Sequence, residues 1–83
     1  MNITIYSKPN CPDCRRAEMM CNMHQQPYTK LMLGEDYTRD ELVSRCLPFV
    51  PKSLPQVFIG EIHAGGAREL ETYLKNILMI PTL

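Results

Sequence analysis

Apolar and polar residues alternate from Asn2 to Ser7, with Ile3 and Ile5 set between Thr4 and Tyr6. A period of two predicts a half-buried strand. Pro9, Asn10 and Pro12 then punctuate a loop. From Asp13 to about Gln25 neither Gly nor Pro interrupts a run rich in Arg, Ala, Glu and Met, all good helix formers. Pro12 suits the first helical position and leaves Cys11 as the N-cap. Cys14, Ala17, Met20, Cys21 and His24 recur at the spacing of one buried helical stripe. Met19, Met20 and Met23 read as core filler. Pro27 ends this helix, and Tyr28 to Leu33 predicts a second strand closed by Gly34.

Thr38-Arg39-Asp40-Glu41 is a capping-box pattern that opens a short helix to about Cys46, closed by Pro48 and Pro51. Gln56 to Ile59 predicts a third strand, and Gly60-Glu61 a tight turn into a fourth, Ile62 to Ala64. After Gly65-Gly66, the positions of Leu70, Tyr73, Leu74, Ile77 and Leu78 mark a helix over 67–78 that Pro81 stops. Tyr28 and Phe58 are expected in the core, and His24 and His63 in structural or exposed positions. The order is β-α-β-α-β-β-α in a single domain, residues 1–83. The first β-α-β predicts a parallel, right-handed crossover and the last two strands an antiparallel hairpin. The fold class is therefore α/β, a four-stranded mixed sheet with three helices.

Composition narrows the function. A chain of 83 residues, 45% hydrophobic, supports one small core and argues against disorder. Lys+Arg and Asp+Glu both number 9, so the basic excess of a nucleic-acid binder is missing. The longest apolar run, Ile77 to Ile80, falls far short of the ~20 residues of a membrane span. No secretory pattern opens the chain, and the expectation is a cytoplasmic monomer with neither nucleic-acid nor membrane partners. The four cysteines, Cys11, Cys14, Cys21 and Cys46, are too few for a disulfide-stapled scaffold. In a reducing compartment they read as metal ligands or redox centres.

Cys11-Pro12-Asp13-Cys14 lies between a strand and a helix within a βαβ pattern, where a C-x-x-C becomes a redox motif. A sulfur at the N-cap can accept N–H bonds from Asp13 and Cys14, and the helix dipole favours its thiolate. Cys14, one turn in, is expected to be more buried and to keep its proton. Cys11 is thus the attacking thiol and Cys14 the resolving one. Lys8 and Arg15 favour the Cys11 thiolate and Asp13 opposes it. At about 7 Å and an effective dielectric of about 20–80, each charge is worth roughly 0.6–2.4 kcal/mol. The net effect is a depressed pKa. A zinc site over Cys11, Cys14, Cys21 and His24 has suggestive spacing. However, seven helical residues separate Cys14 from Cys21 by about 10.5 Å along the axis, too far for Zn–S bonds of about 2.3 Å. No metal is expected, and Cys21 reads as a small core residue. Cys46 is expected either buried or half-exposed, without an assigned role.

Three segments in order resemble the glutaredoxins. Ile5-Tyr6-Ser7-Lys8 runs into Cys11-Pro12-Asp13-Cys14-Arg15-Arg16-Ala17. Lys52-Ser53-Leu54-Pro55-Gln56-Val57-Phe58-Ile59 is similar to the family's Thr-Val-Pro segment and following strand. His63-Ala64-Gly65-Gly66-Ala67 is similar to its Gly-Gly element. The resemblance implies a thioredoxin-like fold, a cis Leu54–Pro55 peptide facing the cysteines, and dithiol exchange with glutathione as co-substrate and no tightly bound cofactor. It places the cysteine of glutathione against the backbone of Leu54, before Pro55. Glutathione carboxylates would meet Lys8 and Lys52, and the γ-glutamyl carboxylate would meet the N–H groups of Gly66 and Ala67. Tyr6 is a candidate wall of the substrate groove.

Two residues depart from the pattern. Asp13 stands where the common dithiol motif has Tyr. Arg68 stands where an Asp usually contacts the γ-glutamyl end, and a guanidinium can pair only with carboxylates. Both point to weakened or altered glutathione binding. The family implies reduction of protein disulfides and glutathione mixed disulfides, with ribonucleotide reductase among its common clients. The alternatives are a redoxin charged by thioredoxin reductase and, less favoured, an iron–sulfur or zinc module, against which Pro12 speaks by resemblance. The sequence predicts that alkylation of Cys11 in the reduced protein follows a pH–rate profile with its midpoint clearly below the ~8.5 of a free thiol; a midpoint at or above that value contradicts it.

Overall fold

In the computed structural model, which describes residues 2–78 and their side chains as far as residue 76, β1 (Ile3–Ser7) lies inside a four-stranded sheet of order β2-β1-β3-β4. It pairs in parallel with β2 (Tyr28–Met32), from Ile3 opposite Tyr28 to Ser7 opposite Met32. On its other side it pairs antiparallel with β3 (Gln56–Ile59), which pairs antiparallel with β4 (Ile62–Gly65). The helices are α1 (Pro12–Met23), α2 (Arg39–Cys46) and α3 (Ala67–Leu78). Element order, mixed sheet and helix count are those expected. The stop at Pro81 and the inward placement of Ile77 and Leu78 lie outside the described residues. No helix among those described is long and apolar enough to cross a membrane.

The period of β1 hides its true environment. Ile3 and Ile5 point into one core layer with Ala17, Cys21, Val57, Leu70 and Leu74, between the sheet and α1 and α3. Tyr6 points the other way, into a second layer with Tyr37, Leu42, Cys46 and Phe58 beneath α2. β1 is therefore covered on both faces rather than half-buried. Tyr6 tolerates this because its side chain is mostly hydrocarbon and its hydroxyl accepts a bond from Arg45 Nη1 at 2.6 Å.

Helix limits follow local chemistry. Thr38 caps α2 with both halves of the capping box. Its Oγ1 accepts from the Glu41 N–H at 3.2 Å, and its own N–H donates to Glu41 Oε1 at 2.7 Å. α1 stops at Met23, two residues before the expected end. Gln25 adopts φ +55°, and the N–H groups of Gln25 and Gln26 turn back to the carbonyls of Asn22 and Cys21. This is a Schellman close without glycine. Pro27 disfavours helical backbone at Gln26, so the chain has to leave the helix here.

Along α1 the inward direction is set by Cys14, Ala17 and Cys21. Met20 is half-buried, but Met19 and Met23 are 60% and 71% exposed, not core filler. At 100° per residue Met19 is rotated about 140° from Cys14 and Met23 about 160° from Cys21, which turns both outward. Tyr28 is half-buried against the core and donates its hydroxyl to Glu18.

Cys21 and Cys46 are free thiols, 0% and 3% exposed. Burial, helped by the nearby Glu18 carboxylate, pushes the Cys21 thiol up to about 11. Burial also raises the Cys46 thiol, with Arg45 opposing. Because α1 is unbroken, Cys14 and Cys21 stay two turns apart. A disulfide-exchange dye at pH 8 is expected to find almost no fast thiol in the oxidised folded protein and two after denaturation; rapid native labelling of either would contradict their burial. Leu74→Ala, at a fully buried site, is expected to cost about 2–5 kcal/mol in denaturant unfolding.

Candidate active site at the start of the first helix

The loop that delivers the cysteines is anchored where β1 ends. The Ser7 carbonyl accepts the Leu33 N–H at 2.9 Å and the Tyr37 hydroxyl at 2.8 Å. Asn10 then reverses the chain at φ +55°, a conformation that Asn tolerates better than most residues. Cys11 is extended, at φ −120° and ψ 99°, and is the N-cap of α1, with Pro12 in the first turn. Its sulfur accepts the Cys14 N–H at 3.2 Å; of the two donors expected, Cys14 is the one that reaches it. Cys11 and Cys14 form a disulfide, their Cα atoms 5.2 Å apart. Cys14 is the more buried of the two, at 2% against 5%.

The Leu54–Pro55 peptide is cis, as the resemblance implied; a second cis peptide, Leu47–Pro48, gave no sign in the sequence. The Leu54 carbonyl oxygen lies 3.6 Å from Cys11 Sγ. The sulfur thus has an N–H on one side and a carbonyl oxygen on the other. In the dithiol state the carbonyl can hold the thiol proton, and the N–H and helix dipole stabilise the thiolate left when it departs.

The loop carrying Leu54 is braced from behind. Gln56, 5% exposed, donates Nε2–H to the Ser53 carbonyl at 2.8 Å. That fixes its Oε1 toward His63 Nε2, 2.6 Å away, so this nitrogen carries the proton. His63 stacks on Phe58 with centroids 4.8 Å apart, and burial lowers its pKa, which favours the neutral ring. Sequence reasoning missed this brace, because no spacing rule links Ser53, Gln56 and His63.

Leu54 separates two shallow grooves. Lys8 and Lys52 line one of them, with Tyr37 and Arg39. Pro55, Gly66 and Ala67 line the other, with Asp13, Arg68 and Glu69. The six residues expected to meet glutathione therefore lie on the disulfide-facing loop or along the grooves beside it. Tyr6 lines neither groove: it is 7% exposed in the layer beneath α2, which corrects the expectation of a groove wall. Arg39 was not anticipated as a third cation beside Lys8 and Lys52. The Gly66 N–H already donates to Glu69 Oε1 at 2.8 Å. The spacing from Gly66 to Glu69 matches that of Thr38 and Glu41, and could have announced this contact.

Comparison with known proteins points to one family. The family model Glutaredoxin matches residues 3–64. Glutaredoxin 3 of Escherichia coli K12 is 31% identical over 70 residues, 83% of this chain and 81% of that protein. The hybrid peroxiredoxin hyPrx5 of Haemophilus influenzae is 36% identical over 72 residues; these cover 87% of this chain but only 29% of that longer protein. The solved structure of reduced Escherichia coli glutaredoxin superposes with a TM-score of 0.76 at 26% identity, over 96% of this chain and 100% of that one. The chain belongs to the glutaredoxin family of thiol-disulfide oxidoreductases.

Proposed function

We propose that this protein is a dithiol glutaredoxin that uses glutathione to reduce protein disulfides and glutathione mixed disulfides. The observation that carries the reading is the Cys11–Cys14 disulfide at the N-cap of α1, set against the Leu54–Pro55 loop. The Cys11 thiolate attacks a substrate disulfide; a new S–S bond forms, and the displaced substrate sulfur leaves as a thiolate that takes up a proton. Cys14 loses its proton and attacks Cys11 Sγ, which closes the intramolecular disulfide and expels the second substrate thiol. The substrate gains two electrons and the enzyme loses two. One glutathione thiolate then opens the disulfide at Cys11, and a second releases glutathione disulfide. Cys11 and Cys14 are the catalytic pair.

Glutathione would lie across Leu54, its cysteine against that backbone beside Pro55, one carboxylate toward Lys8 and Lys52 and the γ-glutamyl carboxylate toward the N–H groups of Gly66 and Ala67. The two grooves meeting at Leu54 support this orientation. The setting would be the cytoplasm, where thiols are kept reduced, and the working form a monomer. Ribonucleotide reductase is a client that fits this chemistry, and likeness to part of a hybrid peroxiredoxin adds a peroxiredoxin disulfide as another.

A second reading draws its electrons from thioredoxin reductase. Asp13 and Arg68 favour it, since both line the groove where the γ-glutamyl end would sit. A metal or cluster role ranks below both: Cys21 is spent in the core rather than near the pair, which speaks against zinc, and Pro12 speaks against a cluster by resemblance.

The test compares turnover with glutathione and its reductase against turnover with thioredoxin reductase. Glutathione-supported turnover is expected, and Arg68→Asp is expected to raise it severalfold. Cys14→Ser should keep deglutathionylation and lose protein-disulfide reduction, whereas Cys11→Ser should lose both. Turnover with thioredoxin reductase alone would favour the second reading, and full activity of Cys11→Ser would end both.

A further inference from the structure

Gln56 opens β3 and is tied to the sheet by its register with Tyr6 of β1. Its side chain turns back to the Ser53 carbonyl and closes a ring over residues 53–56 that contains the Leu54 carbonyl. Phe58 lies two residues on, on the same face of β3, with His63 of β4 opposite it. One proton arrangement satisfies this cluster. The Ser53 carbonyl can only accept, so Gln56 presents its amide N–H there and its Oε1 to His63, which donates from Nε2. Cys46 Sγ lies 3.8 Å from the same nitrogen, as a weaker acceptor. Without the His63 proton the Gln56 oxygen loses its donor in a buried place, and the amide is driven to turn away from Ser53.

The ring ends on the reacting atom, because the Leu54 carbonyl oxygen stands 3.6 Å from Cys11 Sγ. A carbonyl so placed accepts the proton of a thiol and repels a thiolate, so it holds the Cys11 pKa up, while the Cys14 N–H on the other side lowers it. We propose that Gln56 and His63 are positioning residues for the exchange reaction: by clamping the Leu54 carbonyl against Cys11, they set how readily that sulfur ionises. The counterweight has a use. A thiolate loses nucleophilicity as its pKa falls, and the best attacking thiol has a pKa near the ambient pH. A helix start acting alone overshoots that point; an opposing carbonyl corrects it. The clamp contains neither cysteine, so opening the disulfide breaks none of its bonds. The inference rests on Cys11 as the attacking thiol and is independent of the electron donor.

The test is the pH–rate profile of Cys11 alkylation in the reduced protein, read at that residue by mass spectrometry, in wild type and four variants. His63→Phe keeps a ring against Phe58 but removes the donor. Gln56→Met removes both hydrogen bonds at similar volume, and it stays informative if His63→Phe fails to fold. His63→Gln restores a donor at about the same reach. Leu74→Ala, in the other core layer, reports what lost stability alone does, and thermal melts show which variants are folded. All four keep the charges beside Leu54: Lys8, Arg39 and Lys52 in one groove, and Asp13, Arg16, Arg68 and Glu69 in the other. A carbonyl dipole at this distance shifts a thiol by about 0.3–0.5 pKa unit at an effective dielectric of about 20. The expected result is a midpoint lowered by that amount in His63→Phe and Gln56→Met and unchanged in His63→Gln and Leu74→Ala. An unchanged or raised midpoint in the folded His63→Phe or Gln56→Met overturns the proposal, as does an equal fall in His63→Gln or Leu74→Ala. Each of those failures leaves the exchange reading intact, since that reading falls only with retained turnover in Cys11→Ser.

Discussion

The bond from the Cys14 N–H to the Cys11 sulfur does two jobs at one atom. It satisfies one of the free donors at the start of α1, and it places the sulfur that reacts. In most helices the cap is a hydroxyl or a carboxylate chosen for the hydrogen bond alone. Here the cap must also become an anion and a nucleophile, and the cost of a weaker sulfur acceptor is met elsewhere. Pro12 removes one N–H that would otherwise want a partner, and the doubly anchored Ser7 carbonyl fixes the strand end from which the loop departs. A serine at position 11 would cap the helix at least as well while losing the chemistry, which separates the structural role from the reactive one.

The sheet and its two core layers serve this atom by holding the Leu54–Pro55 loop opposite it. That loop belongs to no regular element. It is fixed by Gln56, which is held in turn by His63, and His63 stacks on Phe58, a residue of the second core layer. Packing beneath α2 is thus continuous with the groove where substrate meets the cysteines. Arg45 closes the same layer, its guanidinium 4.0 Å from the Phe58 ring centroid.

Much of this was legible in the chain because it depends on neighbours in sequence. The capping box at Thr38 and Glu41, the N-cap at Cys11 with Pro12 behind it, and the turn at Gly60 are all signals confined to a few residues. Contacts across the fold were not legible. The burial of Tyr6 follows from β1 having partners on both sides, which no alternation within β1 records. The stop of α1 at Met23 used Gln25 where a glycine would have been the signal. The outward turn of Met19 and Met23 depended on a stripe direction set by Cys14, Ala17 and Cys21, and a count of apolar residues does not carry that direction. Glu69 was readable in principle, yet the glycine at the cap concealed a spacing recognised without difficulty at Thr38.

The outward methionines have a chemical consequence. A peroxide or other oxidant reaching α1 meets the thioethers of Met19 and Met23 before it reaches the sealed Cys21. Conversion of either to its sulfoxide puts a polar oxygen where solvent already lies, so the protein can take up oxidative damage on this helix without swelling its interior.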